Sequence, residues 1–105
     1  MRVEIFYFSG CPNYVPAVDR VREVLEQEGV AAEMIEVEIN DASTARTVGF
    51  LGSPSIRIDG QDVEHAVRAS LGFGLMCRTY IDGGQPAGVP PRELLRAAVR
   101  EARDK

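Results

Sequence analysis

The first 39 residues switch between two hydrophobic periods, and this switch constrains the fold more than any other feature of the sequence. Residues 3–8 are rich in β-branched and aromatic side chains, which is typical of a strand. After a break at Ser9-Gly10, apolar residues recur at helical spacing to about Glu28, and Gly29 is a natural helix stop. Residues 32–39 alternate apolar and acidic side chains, which predicts a second strand. Such a strand–helix–strand unit has parallel strands and a right-handed crossover.

The remainder of the chain predicts shorter elements. They are, in order, a short helix capped by Asp41, strands over residues 55–58 and 77–81, and a last helix opened by Pro90-Pro91. Residues 61–76 have no regular pattern. We therefore expect an α/β domain with a mixed four-stranded sheet and helices on both faces. The last two strands, which are close in sequence, are expected to be antiparallel neighbours.

Length and composition favour a single domain that spans residues 1–105, because 105 residues form one ordinary domain and contain no linker. The 12 basic and 16 acidic side chains give a net charge of −4, which argues against nucleic acid as a partner. The sequence contains no run of 18 apolar residues, so we expect no membrane-spanning helix. The start lacks the features of a secretory signal. Two cysteines are too few for a disulfide framework, so we expect a cytoplasmic protein.

Cys11 stands where the first strand ends and the first helix begins. Amide groups at a helix N-terminus have no partner within the helix and carry a partial positive charge, which favours a thiolate over a thiol. The sequence allows two alternative first residues for this helix. If Pro12 is its first residue, Cys11 lies at the helix end but Pro16 removes an internal hydrogen bond. If Asn13 is the N-cap, Pro16 is tolerated but Cys11 lies further from the helix.

The loop over residues 9–14 (SGCPNY) and the sequence Gly52-Ser53-Pro54 before the third strand carry a family resemblance. In this order of elements, the chain resembles the thioredoxin/glutaredoxin superfamily over essentially its whole length. It is closer to small bacterial thioredoxin-like proteins described as related to alkylmercury lyase or to selenoproteins. The resemblance implies that the two loops face each other and that the Ser53–Pro54 peptide bond is cis.

The same resemblance assigns roles to individual residues. It makes Cys11 the catalytic nucleophile and places Ser53 and Pro54 in a substrate groove, flanked by Pro12 and Tyr14. Pro54 is expected to keep the Ser53 amide and carbonyl from pairing within the sheet. The Ser53 backbone would then be free to pair with an incoming peptide or thiol substrate.

The chain departs from the family's Cys-x-x-Cys pattern, because Tyr14 occupies the position three residues after Cys11. A one-thiol site remains, and Tyr14 either offers its hydroxyl to the sulfur or packs. Cys11 could form a mixed disulfide with a low-molecular-weight or protein thiol, or a sulfenic acid in peroxide-linked chemistry. We expect a thiol redox protein that uses no cofactor and no metal. Whether it acts as a monothiol thiol–disulfide oxidoreductase is open at this point.

Cys77 is the second cysteine and a candidate resolving thiol. If Cys77 begins a strand of five residues, about 17 Å long, it lies at the end away from Cys11. That is too far for a disulfide, whose Cα atoms lie about 4.4–6.8 Å apart. The long connection over residues 61–76 could instead return the chain toward Cys11. Two other functions stay open: a non-catalytic binding module, and a soft-metal or organomercurial handling protein that uses both cysteines.

Overall fold

The computed structural model describes all residues from 1 to 105, and its centre is a mixed four-stranded sheet. Strand β1 (Arg2–Tyr7) lies between β2 (Glu33–Glu38), which is parallel to it, and β3 (Ser55–Ile58), which is antiparallel. Strand β4 (Gln61–Asp62) follows β3 in antiparallel pairing, so the order is β2-β1-β3-β4. The parallel pairing of β1 with β2 confirms the strand–helix–strand unit predicted from the sequence.

Three helices lie against this sheet. They are α1 (Tyr14–Gln27), α2 (Ala42–Val48) and α3 (Arg92–Arg103). The start of α2 follows the prediction, because the Thr44 amide donates a hydrogen bond of 2.7 Å to the Asp41 carboxylate. The helix ends at Gly49, where φ is +72° and glycine meets little steric resistance. None of the three helices is long and apolar enough to cross a membrane.

The core is divided between the two faces of the sheet. On one face, Val3 and Ile5 of β1 pack with β3, α1 and α3. On the other face, Phe6 of β1 packs with Ala45 of α2. This division follows from the two-residue period of a strand, which sends alternate side chains to opposite faces. Full burial of such a side chain stabilises the fold by about 1.5–3 kcal/mol. Because α1 and α3 pack on one face and α2 packs on the other, the expectation of helices on both faces is confirmed.

The fourth strand is not the one predicted from the sequence. Asp59 and Gly60 have φ values of +49° and +83° and form a two-residue turn that returns the chain at once as β4. The position beside β3 is therefore filled before the chain reaches residue 77, and the prediction of a sheet strand over residues 77–81 is wrong. Strands β5 (Tyr80–Asp82) and β6 (Gln85–Ala87) instead form a separate antiparallel hairpin.

Candidate functional site

Cys11 lies partly exposed in the turn that joins β1 to α1. Its amide donates to the Phe8 carbonyl and its carbonyl accepts from the Tyr14 amide, both with N···O distances of 3.3 Å. Of the two helix starts, the structure has the second: Asn13 is the N-cap and α1 begins at Tyr14. Pro16 is then the third residue of the helix, where no helical hydrogen bond is lost. Cys11 is two residues before the N-cap, so the helix dipole acts on it less strongly than at the helix end.

The opening of α1 nevertheless presents amide groups without acceptors. The amides of Asn13 and Val15 have no backbone partner. Asn13 makes no capping hydrogen bond through its side chain. Such N–H groups at the start of a helix are available as hydrogen-bond donors to an anionic group.

The side chain of Tyr14 contacts Tyr7 and Glu36. Its ring stacks on Tyr7 with a centroid distance of 3.6 Å and an angle of 7° between the ring planes. Its hydroxyl donates a hydrogen bond to the Glu36 carboxylate on β2. That hydrogen bond, followed by burial and the neighbouring Tyr7, raises the pKa of Tyr14 above its usual value. Of the two alternatives for Tyr14, the structure therefore supports packing, because the hydroxyl proton is bonded to Glu36 and not to the sulfur.

Ser53 and Pro54 are buried beside the end of β1. The peptide bond between them is cis, as the family resemblance implies. The Ser53 hydroxyl accepts a hydrogen bond of 3.3 Å from the Phe8 amide, and the Phe8 carbonyl accepts from the Cys11 amide. The Pro54 loop and the Cys11 turn are thus linked through one residue, Phe8.

The Ser53 backbone is not free to pair with a substrate. Its amide donates to the Met76 carbonyl at 2.8 Å, and its carbonyl accepts from the Arg78 amide at 3.0 Å. Residues 76–78, which we call the strap, form a parallel bridge with Ser53 in which Cys77 is the aligned residue. The expectation that the Ser53 backbone is free for a substrate is therefore wrong, although Ser53 does not pair within the four-stranded sheet. Pro54 lacks an N–H of its own, but it leaves both groups of Ser53 available to the strap.

Gly52 allows the strap to come this close. Its φ is +113°, a conformation that side chains rarely adopt. A Cβ atom at Gly52 would lie 3.1 Å from the Met76 carbonyl oxygen and 3.2 Å from the Arg78 amide nitrogen. The glycine is therefore required both by its backbone conformation and by the space that the strap occupies.

Arg78 anchors the strap through a buried ion pair. Its side chain is only 5% exposed, and it forms two hydrogen bonds with the Asp62 carboxylate, at 2.6 and 2.8 Å. It also donates to Ser55 at 3.1 Å and to Glu64 at 3.0 Å. Burial disfavours the positive charge, but the hydrogen bond to Asp62 and the surrounding negative groups outweigh it and raise the pKa of Arg78. The guanidinium therefore stays charged, and it is hydrogen-bonded to Ser55, Asp62 and Glu64.

Tyr80 completes this anchor from the other side of Pro54. Its hydroxyl donates a hydrogen bond of 2.6 Å to the Pro54 carbonyl, and its ring lies 4.6 Å from the Arg78 guanidinium. Burial raises the pKa of Tyr80, so the hydroxyl remains a donor. Sequence reasoning missed both residues. The only signal was a charged residue between apolar ones in the stretch Cys77-Arg78-Thr79-Tyr80, which does not identify Asp62 as the partner.

Cys77 lies in a different place from the one predicted. It is exposed on the strap beside Ser53, rather than at the distant end of a sheet strand. Leu75, two residues earlier, lines a cleft together with Phe8 and Ser9 of the segment that leads to Cys11. Both cysteines are free thiols. The connection over residues 61–76 therefore returns the chain to Ser53, the residue that contacts the Cys11 turn through Phe8.

Comparison with known proteins identifies the family of the chain. A family model described as "Domain of unknown function (DUF2703)" matches residues 13–99, and the chain belongs to this family. The matched part begins two residues after Cys11 and contains the Pro54 loop and the strap. No curated protein and no solved structure matches the chain.

Proposed function

We propose that this member of the DUF2703 family is a thioredoxin-like thiol redox protein whose nucleophile is Cys11. The observation that carries the proposal is the position of Cys11, partly exposed in the β1–α1 turn and followed by two amides without backbone acceptors. The thiolate is the form of cysteine that attacks disulfides and peroxides, and unpaired amides at the start of a helix can donate hydrogen bonds to an anion. The position combines access for a substrate with amides that have no other backbone partner.

The arrangement of strands and helices supports the thioredoxin-like fold as part of the proposal. The order β2-β1-β3-β4 contains one parallel and two antiparallel pairs. Helices α1 and α3 cover one face and α2 covers the other. This agrees with the sheet and helix arrangement that the family resemblance of the sequence implies. A thioredoxin-like fold would place the Cys11 turn and the Pro54 loop on the same edge, where Phe8 now connects them.

The reaction that this site can carry out is exchange between one thiol and a disulfide. The Cys11 thiolate attacks one sulfur of a disulfide RSSR, so that a Cys11–SR bond forms and the RS–SR bond breaks. The leaving thiolate RS⁻ takes a proton from water. With a hydroperoxide ROOH, the thiolate receives the hydroxyl group as a sulfenic acid and ROH leaves; a thiol then displaces water to give the same mixed disulfide. A further thiol RSH attacks the outer sulfur of Cys11–SR, so that RSSR forms and Cys11 is released in its reduced state.

The rate of alkylation tests whether Cys11 is such a nucleophile. Iodoacetamide labelling at pH 7 is followed by mass spectrometry in the Cys77→Ser protein, where Cys11 is the sole thiol. We expect Cys11 to react about tenfold faster than N-acetylcysteine under the same conditions. The Cys11→Ser protein, in which only the exposed Cys77 reacts, is the matched control.

A Cys11 that is unreactive, or that reacts no faster than N-acetylcysteine, would contradict the redox proposal. That result would favour a non-catalytic binding module of the same fold.

The position of Cys77 also favours a second candidate function, the binding of a soft metal ion by two thiolates. Cys77 is aligned with Ser53, and Ser53 is linked to the Cys11 turn through Phe8. Thiolates are the preferred ligands of soft metal ions such as Cu(I) and mercury. Titration with Hg²⁺ at one equivalent separates this candidate from redox chemistry. A two-thiol site predicts that each single-cysteine variant binds at least tenfold more weakly than the wild-type protein. Equal binding by the variants would exclude it.

A further inference from the structure

The strap fills the strand edge next to the Cys11 turn. A peptide that binds by adding a strand needs a free N–H and a free C=O on a sheet edge. At Ser53 these two groups are bonded to Met76 and Arg78 of the same chain. The chain itself therefore occupies the position that an extended substrate would take. The residue that it aligns with Ser53 is a cysteine, Cys77.

We propose that Cys77 is the internal thiol that resolves Cys11, and that the two cysteines close an intramolecular disulfide beside Ser53. The inference rests on the proposed function of Cys11 as a nucleophile. It adds the second reacting group that the Cys-x-x-Cys pattern lacks at position 14. Because the strap already pairs with Ser53, it also restricts a disulfide oxidant to one of low molecular weight.

Ser53 is in contact with both cysteine-bearing segments. On one side, its hydroxyl accepts from the Phe8 amide at 3.3 Å, and the Phe8 carbonyl accepts from the Cys11 amide at 3.3 Å. On the other side, its backbone holds the strap through hydrogen bonds of 2.8 and 3.0 Å. Leu75 and Phe8 line a common cleft, so the two segments also meet outside Ser53. The thiols thus belong to neighbouring segments, although 65 positions separate them in the sequence.

Any movement that brings the two sulfurs together falls to the Cys11 turn rather than to the strap. The Cα atoms of a disulfide lie about 4.4–6.8 Å apart. Arg78 fixes the strap through its buried pairing with Asp62, whereas Cys11 is held by two backbone hydrogen bonds of 3.3 Å. Few hydrogen bonds and high exposure are properties of segments that open locally at low cost. Arg78 is therefore the positioning residue of Cys77.

The proposed cycle is balanced in atoms and electrons. The Cys11 thiolate first attacks RSSR and releases RS⁻, which leaves the mixed disulfide Cys11–SR. The Cys77 thiolate then attacks the Cys11 sulfur, so that the Cys11–Cys77 bond forms and a second RS⁻ leaves. Both thiolates take up the protons that the cysteines lost. The two cysteines lose two electrons and RSSR gains them as two RSH.

The experiment compares the wild-type protein with the Cys77→Ser and Cys11→Ser variants after exposure to oxidised glutathione. The reaction is stopped with acid, and intact and non-reduced peptide masses are measured. We expect the wild-type protein to lose about 2 Da, with Cys11 linked to Cys77 and no glutathione attached. The Cys77→Ser protein should retain one glutathione on Cys11. The Cys11→Ser protein controls for direct attack by the exposed Cys77.

The outcomes separate this inference from the function on which it rests. If the wild-type protein keeps glutathione on Cys11 to the same extent as the Cys77→Ser protein, the role of Cys77 is overturned and the nucleophilic role of Cys11 stands. If Cys11 is unmodified in both proteins, both proposals are overturned.

A second comparison tests the anchoring by Arg78. Arg78→Lys keeps the positive charge but cannot make the paired hydrogen bonds to Asp62. We expect the glutathione adduct to persist at least threefold longer before the disulfide closes, while the rate of Cys11 alkylation stays unchanged. Thr79→Ala, at an exposed neighbouring position, is the matched control and should close at the wild-type rate. Closure of Arg78→Lys at the wild-type rate would overturn the positioning role.

Discussion

The two cysteines lie in segments that are held in opposite ways. The Cys11 turn has an exposed surface and two long backbone hydrogen bonds, and no ion pair involves its residues. The strap presents the more exposed thiol, Cys77, but its backbone is fixed on Ser53 and its neighbour Arg78 is buried against Asp62. If Cys11 is the nucleophile that we propose, it is the partner that moves, and Cys77 is the thiol that stays in place. The following predictions test that difference.

Removal of the Arg78 side chain should have the largest effect on stability. Arg78→Ala leaves the carboxylates of Asp62 and Glu64 without their buried partner, and loss of one member of a buried pair costs about 3–5 kcal/mol. Arg92→Ala is the matched control, because Arg92 pairs with Glu23 at the surface, where such pairs contribute about 0–1 kcal/mol. Urea unfolding measures both, and equal losses would show that the strap is not anchored as described.

Gly52→Ala should disturb the strap by a smaller amount. The new Cβ would meet the backbone of Met76 and Arg78, and overpacking of this kind costs about 1–3 kcal/mol. Gly84→Ala is the control, since Gly84 also has a positive φ of +83° but has open space around it. The difference in free energy of unfolding between the two variants isolates the contact with the strap. No difference would mean that the strap yields easily.

The occupied strand edge predicts a preference for small oxidants. We compare the disulfide of N-acetylcysteine amide with the disulfide of an unstructured eleven-residue peptide that carries one central cysteine. Relative to a free thiol reference, Cys11 should react about tenfold more slowly with the peptide, a difference of about 1.4 kcal/mol in the barrier. The rates are read from the mass of the adduct in the Cys77→Ser protein. Faster reaction with the peptide would indicate that the strap gives way to it.

Tyr14→Phe should have the smallest effect on the thiol. The Tyr14 hydroxyl is bonded to Glu36, so its removal should change the rate of Cys11 alkylation by less than about twofold.

The raised pKa of Tyr14 adds a pH dependence of stability. The folded state holds this proton more tightly than the unfolded state, so the contribution is present below about pH 10 and is lost as the pH rises further. The stability difference between wild-type protein and Tyr14→Phe should therefore shrink above pH 10. A large loss of Cys11 reactivity in Tyr14→Phe would instead show that the Tyr14 hydroxyl acts on the Cys11 sulfur.

Local patterns predicted the parts of the fold that local interactions decide. The alternation in β1 and β2, the Asp41 cap and the stop at Gly29 each depend on residues that are close in sequence. The stretch over residues 77–81 also has a strand-like pattern, and its extended pairing with Ser53 agrees with that pattern. Its partner was predicted wrongly, because the turn at Asp59-Gly60 fills the position beside β3 first.

The candidate site divides in the same way. Cys11 and Pro54 are recognisable from their local sequence. The strap is not, because it depends on Arg78 meeting Asp62 and on Cys77 aligning with Ser53 across long separations. A buried arginine has no sequence signature that distinguishes it from a solvated one. The occupied edge, which decides what can approach Cys11, therefore became visible only in three dimensions.

Competitive labelling of the two thiols in one protein tests the nucleophilic role of Cys11 most directly. Reduced wild-type protein is treated at pH 7 with less than one equivalent of iodoacetamide, and the labelled cysteine is identified by peptide mapping. Cys77 is the more exposed thiol, so accessibility alone would label it first. If the amides at the opening of α1 stabilise the Cys11 thiolate, Cys11 carries most of the label. Label on Cys77 with Cys11 unmodified would contradict the account.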